Sequence, residues 1–413
     1  MHEIAEVEGH LQPAMTPADF PEARVPVTPV LSLAAFRPGG QRIRSVLDAG
    51  QTRLVTSGRV AIALALRQMN VGPGDTVLVP SYHCASMIEP VVWAGARPLF
   101  YRINPDTSVN LDDVASKLDG SCKVLMATNY FGFPQDLAAL RAFCDAHRIK
   151  LLEDCAHCFL GEYQGRPVGS WGDYAIASSM KFFPIYEGGA LVSARHSLDG
   201  VQLHSAGKAF EVKAVLNALE DGFAYGRLRG AKALLALPLR LKDMLWGRVK
   251  KRHAEGAPLL APGSSDGGFS FDPRWLDKRS SLGSRLLLRL VSRSRMGQLR
   301  RRNYLKLQAA LADLPGCRPL FPVLPDKVYP WVFPLLVEQP QALFRTLKLK
   351  GVPILRFGEY LWPGVDASVC AASVNLSQRV LSFSCHQELR DQELDWMISE
   401  IRNALPQRSA TVR

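Results

Sequence analysis

The chain has 413 residues, 47% hydrophobic and 21% charged, the balance of a soluble globular protein longer than one ordinary domain. Its net charge of +12 is local: residues 226–253 hold nine Lys or Arg against one acid, and residues 274–302 hold ten against one. The remainder is mildly acidic, which argues against a nucleic-acid partner and for either a local surface function or a solvated face in one basic region.

Residues 1–35 are rich in proline and alternate in charge, so they read as a flexible arm. From about 50 the pattern alternates helix and strand: a helix over 60–71 stopped by Gly72-Pro73-Gly74-Asp75, and a strand over 76–82. A helix over 86–95 and a strand over 97–103 follow, then a helix over 111–118 and a strand over 122–130. A helix over 136–147 and strands over 149–156, 174–179 and 190–194 close the series. Buried strands alternating with helices give right-handed crossovers and a mostly parallel sheet in a three-layer α/β/α domain, here 36–200. Residues 201–300 break this rhythm with two basic, leucine-rich helical runs around the spacer APLLAPGSSDGG, and read as an insertion. Strands over 329–337 and 379–385 and helices over 340–351 and 391–405 predict a smaller α+β domain over 301–413.

No apolar stretch is long enough to span a bilayer, and no secretory leader is expected at the start. The eight cysteines (84, 122, 144, 155, 158, 317, 370 and 385) therefore read as reduced, cytoplasmic thiols. Cys155-Ala156-His157-Cys158 has metal-ligand spacing, but no second pair completes a zinc site, so no metal is expected. Residues 226–253, with leucines, Trp246 and clustered cations, suit either a peripheral contact with an anionic membrane or an insertion packed on the body of the protein.

Ligands in parallel sheets bind where strands end. Thr56-Ser57-Gly58-Arg59 opens a helix there, and its free N–H groups and dipole suit a phosphate. After the following strands come Ser81 to Cys84, then Asn129 and Tyr130, then Glu153, Asp154 and His157, and then Ser178, Ser179 and Lys181. A phosphate cradle, an acid, flat side chains and a lysine are together what pyridoxal 5′-phosphate requires. Each part alone has a plainer reading: a helix cap, a loop acid, a lysine that snorkels to water.

The stretches TSGRVAIALAL, VGPGDTVLVPSY, AGARPLFYRINPDT, NYFGFPQDL, LLEDCAHCFLGEYQGRPVGSWGDYAIAS and EGGALVSA, in this order and spacing, resemble the DegT/StrS-type sugar aminotransferases. The resemblance is clear over 40–200 and looser over 295–405. It implies the fold-type I architecture of pyridoxal phosphate enzymes and a homodimer. It also implies that Lys181 bonds to the cofactor aldehyde, that Asp154 contacts the pyridine nitrogen, and that His157 stands where relatives have a glutamine near the ring hydroxyl. Ser178 matches the phosphate serine, and Ser57, Gly58 and Arg59 the phosphate turn. The chain is two residues shorter than the family pattern between Ser178 and Lys181, which leaves Ser179 as an alternative phosphate ligand. Cys84 aligns with the residue over the ring; His83 beside it is the expected stacking group, because an imidazole is flat and a thiol is not. The stretch through which a partner subunit reaches the phosphate is not recognisable.

The resemblance implies transamination of a keto-sugar nucleotide, with glutamate or glutamine as amino donor, in polysaccharide or amino-sugar synthesis. A cyclitol or other non-sugar ketone is an alternative substrate. Related sugar dehydratases carry histidine in place of the lysine, so Lys181 argues against that activity. A non-catalytic scaffold is the reading from a different class. Arg356, Glu359, Trp331 and His386 are further candidates for substrate contact.

Overall fold

The structure is a computed structural model that describes residues 20–234 and 271–405. Strands β1 (Gln51–Val55), β2 (Thr76–Pro80), β3 (Arg97–Tyr101), β4 (Cys122–Thr128) and β5 (Lys150–Asp154) are followed by a short β6 (Glu162–Tyr163) and β7 (Arg166–Pro167) hairpin. Strands β8 (Tyr174–Ser178) and β9 (Gly189–Ser193) then complete a seven-stranded sheet of order β1-β9-β8-β5-β4-β2-β3. Only β9 runs against the rest: it pairs antiparallel with both β8 and β1. Every residue of β2, β8 and β9 is buried, as expected for strands covered on both faces.

The crossovers are α1 (Gly58–Gln68), α2 (Ala85–Trp93), α3 (Leu111–Ser116) and α4 (Leu137–His147). Ser57, Asn110 and Asp136 each accept a hydrogen bond from a first-turn N–H, which fixes where three of these helices start. The alternation expected from the sequence is present with ends shifted by a few residues. β1 was not legible: QTRLV has one apolar pair, and an edge strand with a single neighbour needs no apolar run.

After α5 (Lys208–Ala224) and α6 (Arg229–Leu234), the description resumes at α7 (Leu282–Leu290) and α8 (Arg293–Leu311). Strands β10 (Cys317–Pro319), β11 (Val332–Val337), β12 (Ile354–Leu355) and β13 (Val380–Ser384) form an antiparallel sheet of order β10-β11-β13-β12. Helices α9 (Pro340–Leu349), α10 (Ala367–Arg379) and α11 (Asp391–Ala404) accompany it. Small and polar residues dominate ASVCAASVNLSQR, so α10 carried no helical stripe to read; Asp366 caps it by accepting from the Ser368 N–H at 2.8 Å.

One expectation is corrected. Residues 24–35 are not a loose arm: the Arg24 N–H donates to the Gly351 carbonyl, Ser384 Oγ to the Val27 carbonyl, and Ser32 Oγ to Glu388. Each partner lies over 300 residues away in sequence, beyond the reach of local pattern. In the described part of the basic region some cations pack on the body of the protein while others, Arg274 and Arg289 among them, face solvent. Arg293 pairs with Asp48, Arg295 with Glu388 and Arg302 with Asp391, while Arg300 is fully buried. Most of the stretch considered for membrane contact, residues 235–253, lies outside the described residues. No helix among the described residues is long and apolar enough to cross a membrane.

Candidate active site

Seven of the residues singled out in the sequence line one pocket at the strand ends: Ser57, Gly58, Arg59, Asp154, His157, Ser178 and Lys181. Strand alternation explains how β5 contributes. Asp154 faces the pocket, while its neighbour Glu153 points the other way and accepts from the N–H groups of Gly169 (2.7 Å), Trp171 (3.2 Å) and Gly172 (3.3 Å). Burial pushes the Asp154 carboxyl upward; the Ala156 N–H at 2.8 Å and the Lys181 charge work against that rise.

At the other side of the pocket α1 begins. Ser57 Oγ takes the Val60 N–H at 3.3 Å, so the first-turn N–H groups of Gly58 and Arg59, which have no acceptor within the helix, belong to residues that face the pocket. A Cβ on Gly58 would meet nothing closer than Ser178 Cβ at 3.8 Å, so this turn is open. Gly189 of β9 is the opposite case. A Cβ there would lie 2.3 Å from the Ser57 carbonyl carbon and oxygen, so only glycine lets α1 start against the sheet. Arg59 pairs with buried Glu89 at 3.6 Å.

Lys181 ends a single 3-10 turn, Ser179–Lys181, which joins β8 to the Glu187-Gly188-Gly189 corner. Its amine sits 4.4 Å from the centre of the Trp331 ring. The His157 ring stacks on the same indole at 4.0 Å and 25°. Burial holds the His157 imidazole well below its ordinary range, with the Lys181 charge adding to the effect. Its Nδ1 is buried with no hydrogen-bond partner among the described residues, an orphan that a ligand hydroxyl would satisfy. Phe357 closes the wall edge-on to His157 at 4.6 Å, anchored by Tyr82 Oη donating to its carbonyl at 3.0 Å.

Two expected site residues are elsewhere. His83 does not line the pocket: its ring stacks on Phe100, Nδ1 bonds the Pro80 carbonyl at 3.0 Å, and Nε2 accepts the Trp362 N–H at 2.9 Å. Burial lowers its pKa to about 4. The neighbouring Cys84, at the N-cap of α2, reaches the pocket in its place because consecutive residues in an extended turn point apart. Ser179 is also outside the lining; its buried Oγ lies near Gly188. Among the further candidates, Trp331 touches Lys181, Arg356 is tied to Glu359, and His386 bonds the Pro26 carbonyl. Thr128, Ile62, Met180 and Phe357 also line the pocket, without any signal in sequence except position. Cys155 and Cys158 are packing residues whose thiols burial pushes up, and no group of three His, Cys, Asp or Glu among the described residues could hold a metal.

Residues 41–217 match the DegT/DnrJ/EryC1/StrS aminotransferase family. A GDP-perosamine synthase of Vibrio cholerae is 34% identical over 142 residues, 34% of this chain and 39% of that protein. An L-glutamine:2-deoxy-scyllo-inosose aminotransferase of Streptomyces kanamyceticus is 32% identical over 142 residues, 34% of this chain and 33% of its own length. The chain thus spans well under half the length of these curated relatives. Among solved structures, DesV of S. venezuelae superposes with a TM-score of 0.59 at 21% identity, covering 87% of this chain and 86% of that one. That likeness bears on the fold, which is the fold-type I architecture.

Proposed function

We propose that this chain is a pyridoxal phosphate-dependent aminotransferase that transfers an amino group from glutamate or glutamine to a keto-sugar nucleotide. The observation that carries the reading is one pocket lined at once by an open helix N-terminus with Ser178, by a buried acid, and by a lysine. The residues fit the cofactor: Ser57, Gly58, Arg59 and Ser178 would hold its phosphate, Asp154 its ring nitrogen, and the orphaned Nδ1 of His157 its hydroxyl. When bound, the cofactor supplies an electron sink for the carbanion left by loss of the donor's α-proton. Lys181 Nζ is the base that takes this proton from Cα. Asp154, whose carboxyl burial pushes upward while the Ala156 N–H and the Lys181 charge work against that rise, would pair with the ring nitrogen and favour its protonated form. Phe357 and Met180 add apolar surface to the wall of the site.

The match to a cyclitol aminotransferase, with Cys84 and His157 at two ring-facing positions, supports a cyclitol ketone as a second substrate reading. A homodimer fits the surface beside the pocket. Leu282, Leu286 and Leu290 of α7 form a stripe exposed by 55%, 45% and 60%, next to Val212 and Val215 on α5. Such a patch calls for a partner, and α7 is capped by Ser281, whose N–H donates to Glu187 at 2.9 Å beside the phosphate turn.

The test is a single half-reaction. The loaded protein mixed with glutamate should lose its cofactor aldehyde absorbance and release 2-oxoglutarate in equal amount. No spectral change with glutamate or glutamine would remove the reading.

A further inference from the structure

One guanidinium ties together the backbone segments that carry the Lys181 amine. Arg300 rises from α8 and is fully buried. Its Nε donates to Gln387 Oε1 at 2.9 Å, its Nη1 to the carbonyls of Pro330 (3.1 Å) and Trp331 (2.9 Å), and its Nη2 to the carbonyl of Lys181 (3.1 Å). The Phe182 ring lies 4.4 Å from the guanidinium carbon, and Gln387 Nε2 donates back to the Phe182 carbonyl at 2.8 Å. These acceptors are all neutral, and burial lowers the pKa of the group to about 10.

Burying a cation without a contacting carboxylate is costly, and a leucine or methionine would fill the space without that cost. What only arginine adds is a flat, rigid fork that holds several carbonyls in one plane. Two of those carbonyls belong to Lys181 and Trp331, whose side chains also meet, with the amine 4.4 Å from the indole centre. The fork therefore fixes the spacing of the two backbones from behind, and the side chains meet in front.

We infer that Arg300 is a positioning residue that, together with Trp331, parks the Lys181 amine: the fork sets the two backbones and the indole face holds the ammonium. The functional meaning rests on the aminotransferase reading; the parking itself does not. An ammonium is drawn to an aromatic face and a neutral amine is not. The perch thus retains the charged lysine and lets it leave once it gives up its proton.

The test is pulse labelling of the full chain, without cofactor, by acetic anhydride, with Lys181 measured by peptide mass spectrometry against exposed Lys208. Trp331→Leu should raise Lys181 labelling about fivefold, the factor that corresponds to a cation–π contact of about 1 kcal/mol. Trp331→Phe keeps an aromatic face and should stay within about twofold of wild type. Labelling of the Leu variant at the wild-type rate, or of both variants alike, would overturn the perch. Arg300→Lys keeps the charge, loses the fork and should raise labelling about threefold. Should that variant not fold, Gln387→Leu removes one acceptor of the fork and should raise labelling about twofold. A wild-type rate in whichever of these folds would remove the part assigned to Arg300. Because no cofactor is present, failure here is distinct from failure of the half-reaction.

Discussion

Replacing Gly189 with alanine isolates the contact that builds the phosphate turn. The added Cβ would stand 2.3 Å from the Ser57 carbonyl carbon and oxygen and 2.8 Å from the Gly58 nitrogen, where about 3.4 Å is the ordinary limit, so something must yield by about 1 Å. β9 cannot yield readily, since Gly189 is paired with Val55 on one side and Ser178 on the other. The start of α1 must move instead. Overpacking of this kind costs about 1–3 kcal/mol of stability. Displacing the cradle should also forfeit one charge-assisted hydrogen bond to phosphate, about 1.5–3 kcal/mol, or about 10- to 100-fold in affinity. Urea unfolding reads the first quantity, and titration with pyridoxal phosphate followed by absorbance reads the second. Gly200→Ala is the control, because a Cβ there meets nothing within 4 Å. An unchanged unfolding midpoint together with affinity within threefold of wild type would refute the close-approach argument.

Asp173 is buried at the far end of β8, where Arg141 Nη1 (2.8 Å), His196 Nε2 (2.9 Å) and the Leu151 N–H (2.9 Å) converge on it. Burial works to raise its pKa, yet these donors hold the carboxyl well below the usual range. The lowered value means that its contribution is full above about pH 4 and fades as the pH falls below that. Asp173→Asn should therefore cost about 2 kcal/mol at pH 7, with the gap from wild type closing in acid; a gap independent of pH would contradict this. His83→Gln should leave pyridoxal phosphate affinity within about threefold, since the ring is outside the pocket, and lower stability by about 1 kcal/mol through the Trp362 N–H. A tenfold loss of affinity would restore His83 to the site.

The parallel half of the large sheet was legible because buried strands such as TVLVP and YAIAS are unbroken apolar runs between capped helices. The edge strand β1 and helix α10 were not, since neither needs an apolar stripe. In the site, Ser57, Gly58, Asp154 and Lys181 were readable from strand ends and glycine placement. The exchange of His83 for Cys84 turned on which of two neighbours faces inward, a matter of one backbone rotation. Phe357 and Arg300 arrive from the C-terminal domain and α8, more than 100 residues beyond Lys181. Long-range packing of that kind leaves no local pattern.

The central claim is that Lys181 is the reactive amine of a pyridoxal phosphate site. Its most direct measurement is the absorbance spectrum of wild-type and Lys181→Ala protein, each loaded with pyridoxal phosphate and freed of excess by gel filtration. The account predicts a visible band in the wild type that is absent from the variant, with bound phosphate ester still detectable because the cradle is intact. An identical band in both proteins would contradict it.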